Sequence, residues 1–234
     1  MRAMVRSVAL VVAVGLCLAV PAVASAQTLF FDYVGFDYED PNPNPLVFGE
    51  PGSGYVGLGF VPNLFAPLVA NTVANEYTYQ FSGLSPISST PVGPFVIIDY
   101  SPGTLVIYED DKTSGTAANY GVNPPNGSAP PSFVDGTTYL VGNLTNFRFI
   151  LDTSTNTGSF EADYEAVGGA QIGNVPLNQR KGWTFAGATG NDIEIPAGYI
   201  HQIDGQTFLN APVHVVNKTT WGELKARYAR GAGR

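Results

Sequence analysis

The sequence predicts an all-β protein, an antiparallel β-sandwich or jelly-roll-like domain with a short C-terminal amphipathic helix. Three observations indicate this class. The chain contains 27 glycines and 18 prolines, which favour turns over long helices. Aromatic residues make up 12% of it and charged residues 13%, a balance that suits strands packed on a core. Several segments alternate apolar and polar residues with the period of two that a half-buried strand requires.

The chain begins with a predicted secretory signal peptide, residues 1–26. Two arginines precede an apolar run of 13 residues at 8–20, and small residues then predict cleavage before Gln27. A membrane-spanning helix needs about 20 apolar residues, so we expect no transmembrane segment after cleavage. The single cysteine, Cys17, leaves with the signal peptide. The expected location is outside the cytoplasm: extracellular, at the cell surface or in the periplasm.

Charge is distributed unevenly along the chain. Residues 27–217 contain four basic and 18 acidic side chains, whereas residues 218–234 contain five basic and one acidic. Phosphate binding needs clustered Lys and Arg, so we expect no nucleic-acid partner. The predicted organisation is a signal peptide at 1–26, a single β-sandwich domain at 27–217 and a basic tail at 218–234.

The first strands are predicted from aromatic residues. Residues 28–38 carry aromatics on both faces, which predicts a strand that is covered on both sides. Residues 76–81 alternate as a half-buried strand does. We interpret these aromatics as core, with a platform that stacks sugars or lipids as the alternative. They are Phe30, Phe31, Tyr33, Phe36, Tyr38, Tyr77, Tyr79 and Phe81.

The middle of the chain predicts a hairpin and a long loop. Strands at 95–100 and 104–108 flank Ser101-Pro102-Gly103, and this Pro-Gly pair predicts a hairpin with a type II turn. Residues 110–135 are rich in Gly, Asn, Ser and Pro. We predict a surface loop or lid there, without a core.

The clearest hairpin is predicted between residues 138–151 and 158–167, where both segments alternate apolar and polar side chains. Further strands are predicted at 183–185 and 199–209. In the tail, Thr220 to Glu223 matches a helix capping box, and an apolar stripe and basic residues follow. This helix either packs on the acidic body or acts as a docking or sorting peptide. Its docking candidates are Trp221, Leu224, Lys225, Arg227 and Tyr228.

Three carboxylates on one predicted strand are the catalytic candidates. Glu161, Asp163 and Glu165 leave the same face, with neighbours roughly 7 Å apart. Paired carboxylates at such a spacing act as acid and base in glycoside hydrolysis, or bind Ca²⁺. The alternative interpretation is a polar sheet face.

Two acidic clusters at strand ends are candidate Ca²⁺ ligands, and Ca²⁺ is the one cofactor that the sequence suggests. Neither cluster matches the twelve-residue calcium loop, and the alternative is carboxylates that cap turns. The clusters are Asp37, Glu39 and Asp40, and Glu109, Asp110 and Asp111. The two histidines, His201 and His214, belong to no nucleophile elbow or zinc motif, so we expect them to be structural.

One segment resembles a known group of proteins. Residues 137–149, followed by 157–162, are similar to a hairpin of exported bacterial proteins of the PEP-CTERM-sorted type. The resemblance implies a β-sandwich ectodomain on or outside the cell. The Pro-Glu-Pro motif and apolar span of that group do not precede the final arginines, so its sorting mechanism is not implied. Residues 219–228 also resemble the Trp-Gly-x-x-Lys-x-x-Tyr endings of other exported bacterial proteins.

The leading functional prediction is an exported, non-enzymatic protein of the cell surface or extracellular space, with a structural, adhesive or matrix role. The alternative is a carbohydrate-binding module or glycoside hydrolase that uses the carboxylate-bearing strand face. The expected partner is an extracellular glycan or a component of the cell envelope.

Overall fold

The computed structural model of the chain describes residues 28–120, 131–191 and 194–209. Its strands are β1 (Thr28–Glu39), β2 (Tyr55–Leu64), β3 (Asn75–Leu84), β4 (Pro86–Val92), β5 (Phe95–Tyr100), β6 (Gly103–Asp111), β7 (Thr137–Asp152), β8 (Thr157–Gly168), β9 (Trp183–Gly190) and β10 (His201–Leu209). Short 3₁₀ helices span Pro131–Phe133, Ile172–Asn174 and Leu177–Gln179. Within the described ranges, no helix has the length and apolar character needed to cross a membrane.

Several predictions concern residues outside the described ranges. These are the signal peptide, the C-terminal helix, His214 and the docking candidates Trp221, Leu224, Lys225, Arg227 and Tyr228.

The strands close into a barrel, so the predicted sandwich or jelly-roll is wrong. Eight strands follow one another in the order β1, β2, β3, β6, β7, β8, β9 and β10, and β10 pairs with β1. All these pairs are antiparallel. A sandwich consists of two sheets with free edges, whereas closure removes them. Both architectures alternate inward and outward side chains, which is why the sequence pattern did not separate them.

Strands β4 and β5 extend the barrel strands β3 and β6, respectively. β7 pairs with β6 through its first half and with β5 through its second half, so β5 and β6 run in the same direction. The predicted hairpin at Ser101–Gly103 is therefore wrong, because the chain continues through this Pro-Gly pair. The hairpin lies instead between β4 and β5, at Gly93 with φ of +61°. At the interruption, the Ser101 amide donates to the Ser85 carbonyl at 2.8 Å.

The predicted hairpin of β7 and β8 is confirmed, with Phe149 opposite Phe160. The register shifts between Thr145 and Arg148. There Asn146 has φ of +54°, and its side-chain amide donates to Asp163 at 2.6 Å. Such a bulge changes which alternate residues of a strand face inward.

All eight aromatic residues that were interpreted as core are buried, which confirms that interpretation. Six of them belong to the main core cluster, and Phe36 and Tyr38 belong to a second one. Tyr33 stacks on Phe185 with 4.5 Å between ring centroids, and Phe147 stacks on Phe160 at 5.3 Å. Strand β2 was not predicted, because Gly57 and Gly59 resemble turn residues. In the barrel, a Cβ atom at Gly57 would lie 2.3 Å from the Phe81 ring, so this glycine makes room for an aromatic side chain.

A second apolar cluster covers the outer face of β1 and β2, so β1 is buried on both sides as predicted. Phe133 is fully buried there, and Tyr120 meets Phe36 edge-to-face at 4.7 Å. The prediction that residues 110–135 contribute no core is therefore wrong. Isolated aromatic residues in a polar loop supply these contacts.

Candidate functional site

The barrel buries two carboxylates and a histidine near one end: Asp37, Glu39 and His201. Every second side chain of a strand lies on the same face. Asp37 and Glu39 therefore share the inward face of β1 with Phe31 and Tyr33, and all four side chains are buried. His201 is the first residue of β10 and lies opposite Asp37 in the register. The antiparallel pairing of the two strands therefore brings the acid and the base together.

Asp37 is held by three groups. Its carboxylate accepts the backbone amide of His201 at 2.7 Å and the Tyr55 hydroxyl at 2.9 Å. The Nδ1 atom of His201 lies 3.0 and 3.1 Å from the two carboxylate oxygens. This contact places the Nδ1 proton toward Asp37, the arrangement by which a carboxylate fixes the tautomer of an imidazole. The Nε2 atom is buried and makes no hydrogen bond to the described residues.

Tyrosine hydroxyls surround the carboxylates. Burial raises the pKa of Tyr55 well above its usual value, and the neighbouring Asp37 raises it further. Tyr100 behaves in the same way, because burial and the nearby Glu39 and Asp37 disfavour its ionised form. Both tyrosines are therefore neutral at ordinary pH. Tyr55 donates to Asp37, whereas the buried Tyr100 hydroxyl makes no hydrogen bond to the described residues.

The Glu39 side chain forms hydrogen bonds that connect the loop of residues 40–54 to the barrel. Its Oε1 atom accepts the Gly49 amide at 2.7 Å and the Ser53 hydroxyl at 2.9 Å. Burial raises the pKa of the Glu39 carboxyl, and the two hydrogen bonds only partly oppose that effect. Nearby Asp37 raises this pKa further, whereas His201 lowers it.

The 40–54 loop also packs an aromatic ring onto the cluster. Phe48 meets His201 edge-to-face at 5.2 Å and lies 5.1 Å from Phe149. The next residue, Gly49, has φ of +75°, and a Cβ atom there would lie 2.3 Å from the Ile98 side chain. The loop therefore covers this end of the barrel and buries the Asp37–His201 pair.

The catalytic candidates on β8 lie on the outside of the barrel. Glu161 and Asp163 are exposed, and Glu165 is partly exposed. Asp163 accepts the Asn146 side-chain amide, and Glu165 forms an ion pair with Lys181 at 3.0 Å. All three side chains leave the outer face of β8.

The structure separates the members of the first Ca²⁺ cluster. Asp37 and Glu39 point into the barrel and bind different protein groups, whereas Asp40 begins the covering loop. In this structure the carboxylates of Asp37 and Glu39 therefore accept hydrogen bonds from protein donors.

The second Ca²⁺ cluster is also divided among protein partners. Glu109 accepts from Asn75 at 2.6 Å, and Asp111 accepts the backbone amide of Ser114 at 2.9 Å. Asp110 follows Glu109 on β6, so its side chain leaves the opposite face. Among the described residues, no group of three or more His, Cys, Asp or Glu side chains is arranged to hold a metal ion.

Sequence reasoning missed the Asp37–His201 pair because 164 residues separate its members. One signal was present: Asp37 has the same parity as Phe31 and Tyr33, which indicates that its side chain shares an aromatic face of the strand. Comparison with known proteins gives no match to a family model, a curated protein or a solved structure. The functional argument therefore rests on the fold and on these contacts.

Proposed function

We propose that this protein is an exported, non-enzymatic component of the cell surface or extracellular space with a structural role. The filled barrel is the observation that carries the proposal. An eight-stranded barrel is just wide enough for side chains to fill it or for one small ligand. Here the largest fully buried side chains, including Trp183, Tyr33 and Phe81, are aromatic and occupy that space themselves.

The contacts of the buried cluster also support a structural role. Asp37 and Glu39 each bind groups that belong to other strands or to the covering loop. Carboxylates that satisfy buried donors stabilise a fold, since an unpaired buried donor costs free energy. The predicted signal peptide supports export, and the acidic composition favours a well-hydrated surface.

Fractionation of the native host, with the intact mass of the protein in each fraction, tests this proposal. We expect a species that begins at Gln27 and is enriched in the envelope or matrix fraction. Purified protein should also sediment with isolated envelopes. A cytoplasmic species that retains residues 1–26 would contradict export, and a released species that does not sediment would contradict the structural role.

Glycan binding is the second candidate, and the open face of β8 favours it. Glu161 and Asp163 stay exposed, and Glu161 lies opposite the small Ala186 of β9. Such an exposed polar surface is accessible to a sugar chain. Binding to a glycan array that is lost in the combined variant Glu161→Gln and Asp163→Asn, but kept in the exposed control Glu194→Gln, would support this role. Absence of binding in the wild-type protein would exclude it for the glycans tested.

A further inference from the structure

The covering loop rests on the buried carboxyl of Glu39, and no lysine or arginine of the described residues is paired with it. All four Lys and Arg side chains of the described residues bind other groups. They are Lys112 to the Thr72 carbonyl, Arg148 to Asp99, Arg180 to the Ile172 carbonyl and Lys181 to Glu165. The basic group near Glu39 is His201, whose ring already faces Asp37.

Among the described residues, the other titratable groups that face Glu39 favour its neutral form or are themselves neutral. Asp37 lies two residues away on the inner face of β1, and its negative charge opposes a second one. Tyr100 approaches from β5, and Tyr55 lies at the start of β2. Neither tyrosine can supply a positive charge. An ionised Glu39 is therefore poorly compensated while the loop is closed.

We propose that ionisation of Glu39 releases the 40–54 loop from the barrel, so that the loop acts as a cover that opens as pH rises. The closed loop keeps Glu39 away from water, and opening lets the carboxylate hydrate at the cost of the Gly49 and Ser53 hydrogen bonds. Opening also uncovers Phe48, His201 and Asp37. The barrel end then presents an imidazole, a carboxylate and aromatic rings to solvent.

The direction of the pH dependence follows from the linkage between proton binding and loop opening. Burial raises the pKa of Glu39 in the closed state, so the closed state binds the proton more tightly than the open state does. The loop is held most firmly below the usual range of a glutamate pKa. Its stability falls as pH rises through the raised value and then stays constant. Within that window, the open fraction rises by up to roughly tenfold for each pH unit.

Hydrogen exchange of the Gly49 amide tests the proposal, since this amide donates directly to Glu39. Exchange is measured by NMR from pH 4 to 8 and corrected for the intrinsic pH dependence of each amide. We expect the protection of Gly49 to fall as pH rises in the wild-type protein. The Leu68 amide, which donates to the Phe65 carbonyl in another loop, serves as the internal control.

Two variants test whether the Glu39 carboxyl, rather than another carboxyl of the loop, causes the pH dependence. Glu39→Gln keeps an acceptor oxygen but cannot ionise, so its Gly49 protection should not change with pH. Glu50→Gln removes another carboxyl of the same loop and should behave as wild type, because the Gly49 amide donates to Glu39. A wild-type protection that is constant with pH, or an equal slope in Glu39→Gln, would overturn the proposal.

A wild-type measurement keeps the test decisive if Glu39→Gln does not fold. The ¹³C shift of the Glu39 carboxyl reports its own titration. We expect the midpoint of that titration to coincide with the midpoint of the loss of Gly49 protection. Two midpoints more than about one pH unit apart would show that another group controls the loop.

Discussion

Strands β1 and β8 both carry carboxylates at alternate positions, but the barrel places the two sets in opposite environments. Asp37 and Glu39 face inward and are almost completely buried, whereas Glu161 and Asp163 face outward and are exposed. Inward carboxylates must bind protein donors, while outward ones are hydrated. The comparison shows that spacing establishes which side chains share a face, and closure of the barrel decides which face is buried.

Among the substitutions considered, removal of the Asp37 carboxylate should lower the free energy of unfolding the most. Asp37→Ala leaves the His201 amide and the Tyr55 hydroxyl buried without their acceptor. We expect a loss of about 3–5 kcal/mol in the free energy of unfolding, measured by urea denaturation. The matched variant Asp163→Ala should change it by less than about 0.5 kcal/mol. Equal losses would show that burial does not distinguish the two strands.

Removal of one donor should have a smaller effect. Tyr55→Phe keeps the ring in the core but deletes the hydroxyl that donates to Asp37. We expect a loss of about 1.5–3 kcal/mol, since the lost hydrogen bond involves a charged acceptor. Tyr108→Phe, which removes the hydroxyl of a partly buried tyrosine on β6, is a suitable control. A cost below that of the control would contradict the role assigned to Tyr55.

The surface ion pair of Arg148 with Asp99 should have the smallest effect. The two groups lie 2.6 Å apart, and the Arg148 side chain is 58% exposed. Arg148→Gln should cost about 0.2–1 kcal/mol in low salt and less at high ionic strength. A loss that does not decrease with salt would show that packing, rather than charge, is responsible.

The pH dependence of the same ion pair has the opposite sign to that of Glu39. The hydrogen bond from Arg148 lowers the pKa of Asp99. The contribution of the ion pair to the free energy of unfolding is therefore complete above the usual pKa of an aspartate. It is lost as pH falls through the lowered pKa of Asp99. Urea denaturation from pH 7 down to pH 2 should show Arg148→Gln and wild type converging in acid.

Local pattern predicted much of the fold. The β7–β8 hairpin, the half-buried β3 and the doubly covered β1 all follow from alternation, because side-chain period is a local property. Closure depends on β1 meeting β10, and their pairing joins the two ends of the described chain. Nothing in the period of either strand specifies that partner.

Turn chemistry misled the prediction at two places. Ser101-Pro102-Gly103 has the composition of a turn, but it interrupts a strand whose two parts share β7 as their neighbour. The glycines of β2 resemble a loop, but Gly57 accommodates the ring of Phe81. In both cases tertiary packing decided a conformation that composition left open.

The candidate site was only partly accessible to sequence reasoning. The common face of Glu161, Asp163 and Glu165 could be predicted, since it depends on a single strand. The Asp37–His201 contact and the Glu39 contact with Gly49 depend on long-range pairing and on the path of a loop. These contacts required the three-dimensional structure.

The most direct test of the account compares Asp37→Asn with Asp163→Asn. Both changes remove one charge and preserve shape, so the free energies of unfolding at pH 7 isolate the effect of burial. We expect Asp37→Asn to cost at least about 2 kcal/mol more than Asp163→Asn, because its new amide group faces the Tyr55 and His201 donors. Equal costs, or a greater cost for Asp163→Asn, would contradict the claim that the buried Asp37 stabilises the fold more than its exposed counterpart on β8 does.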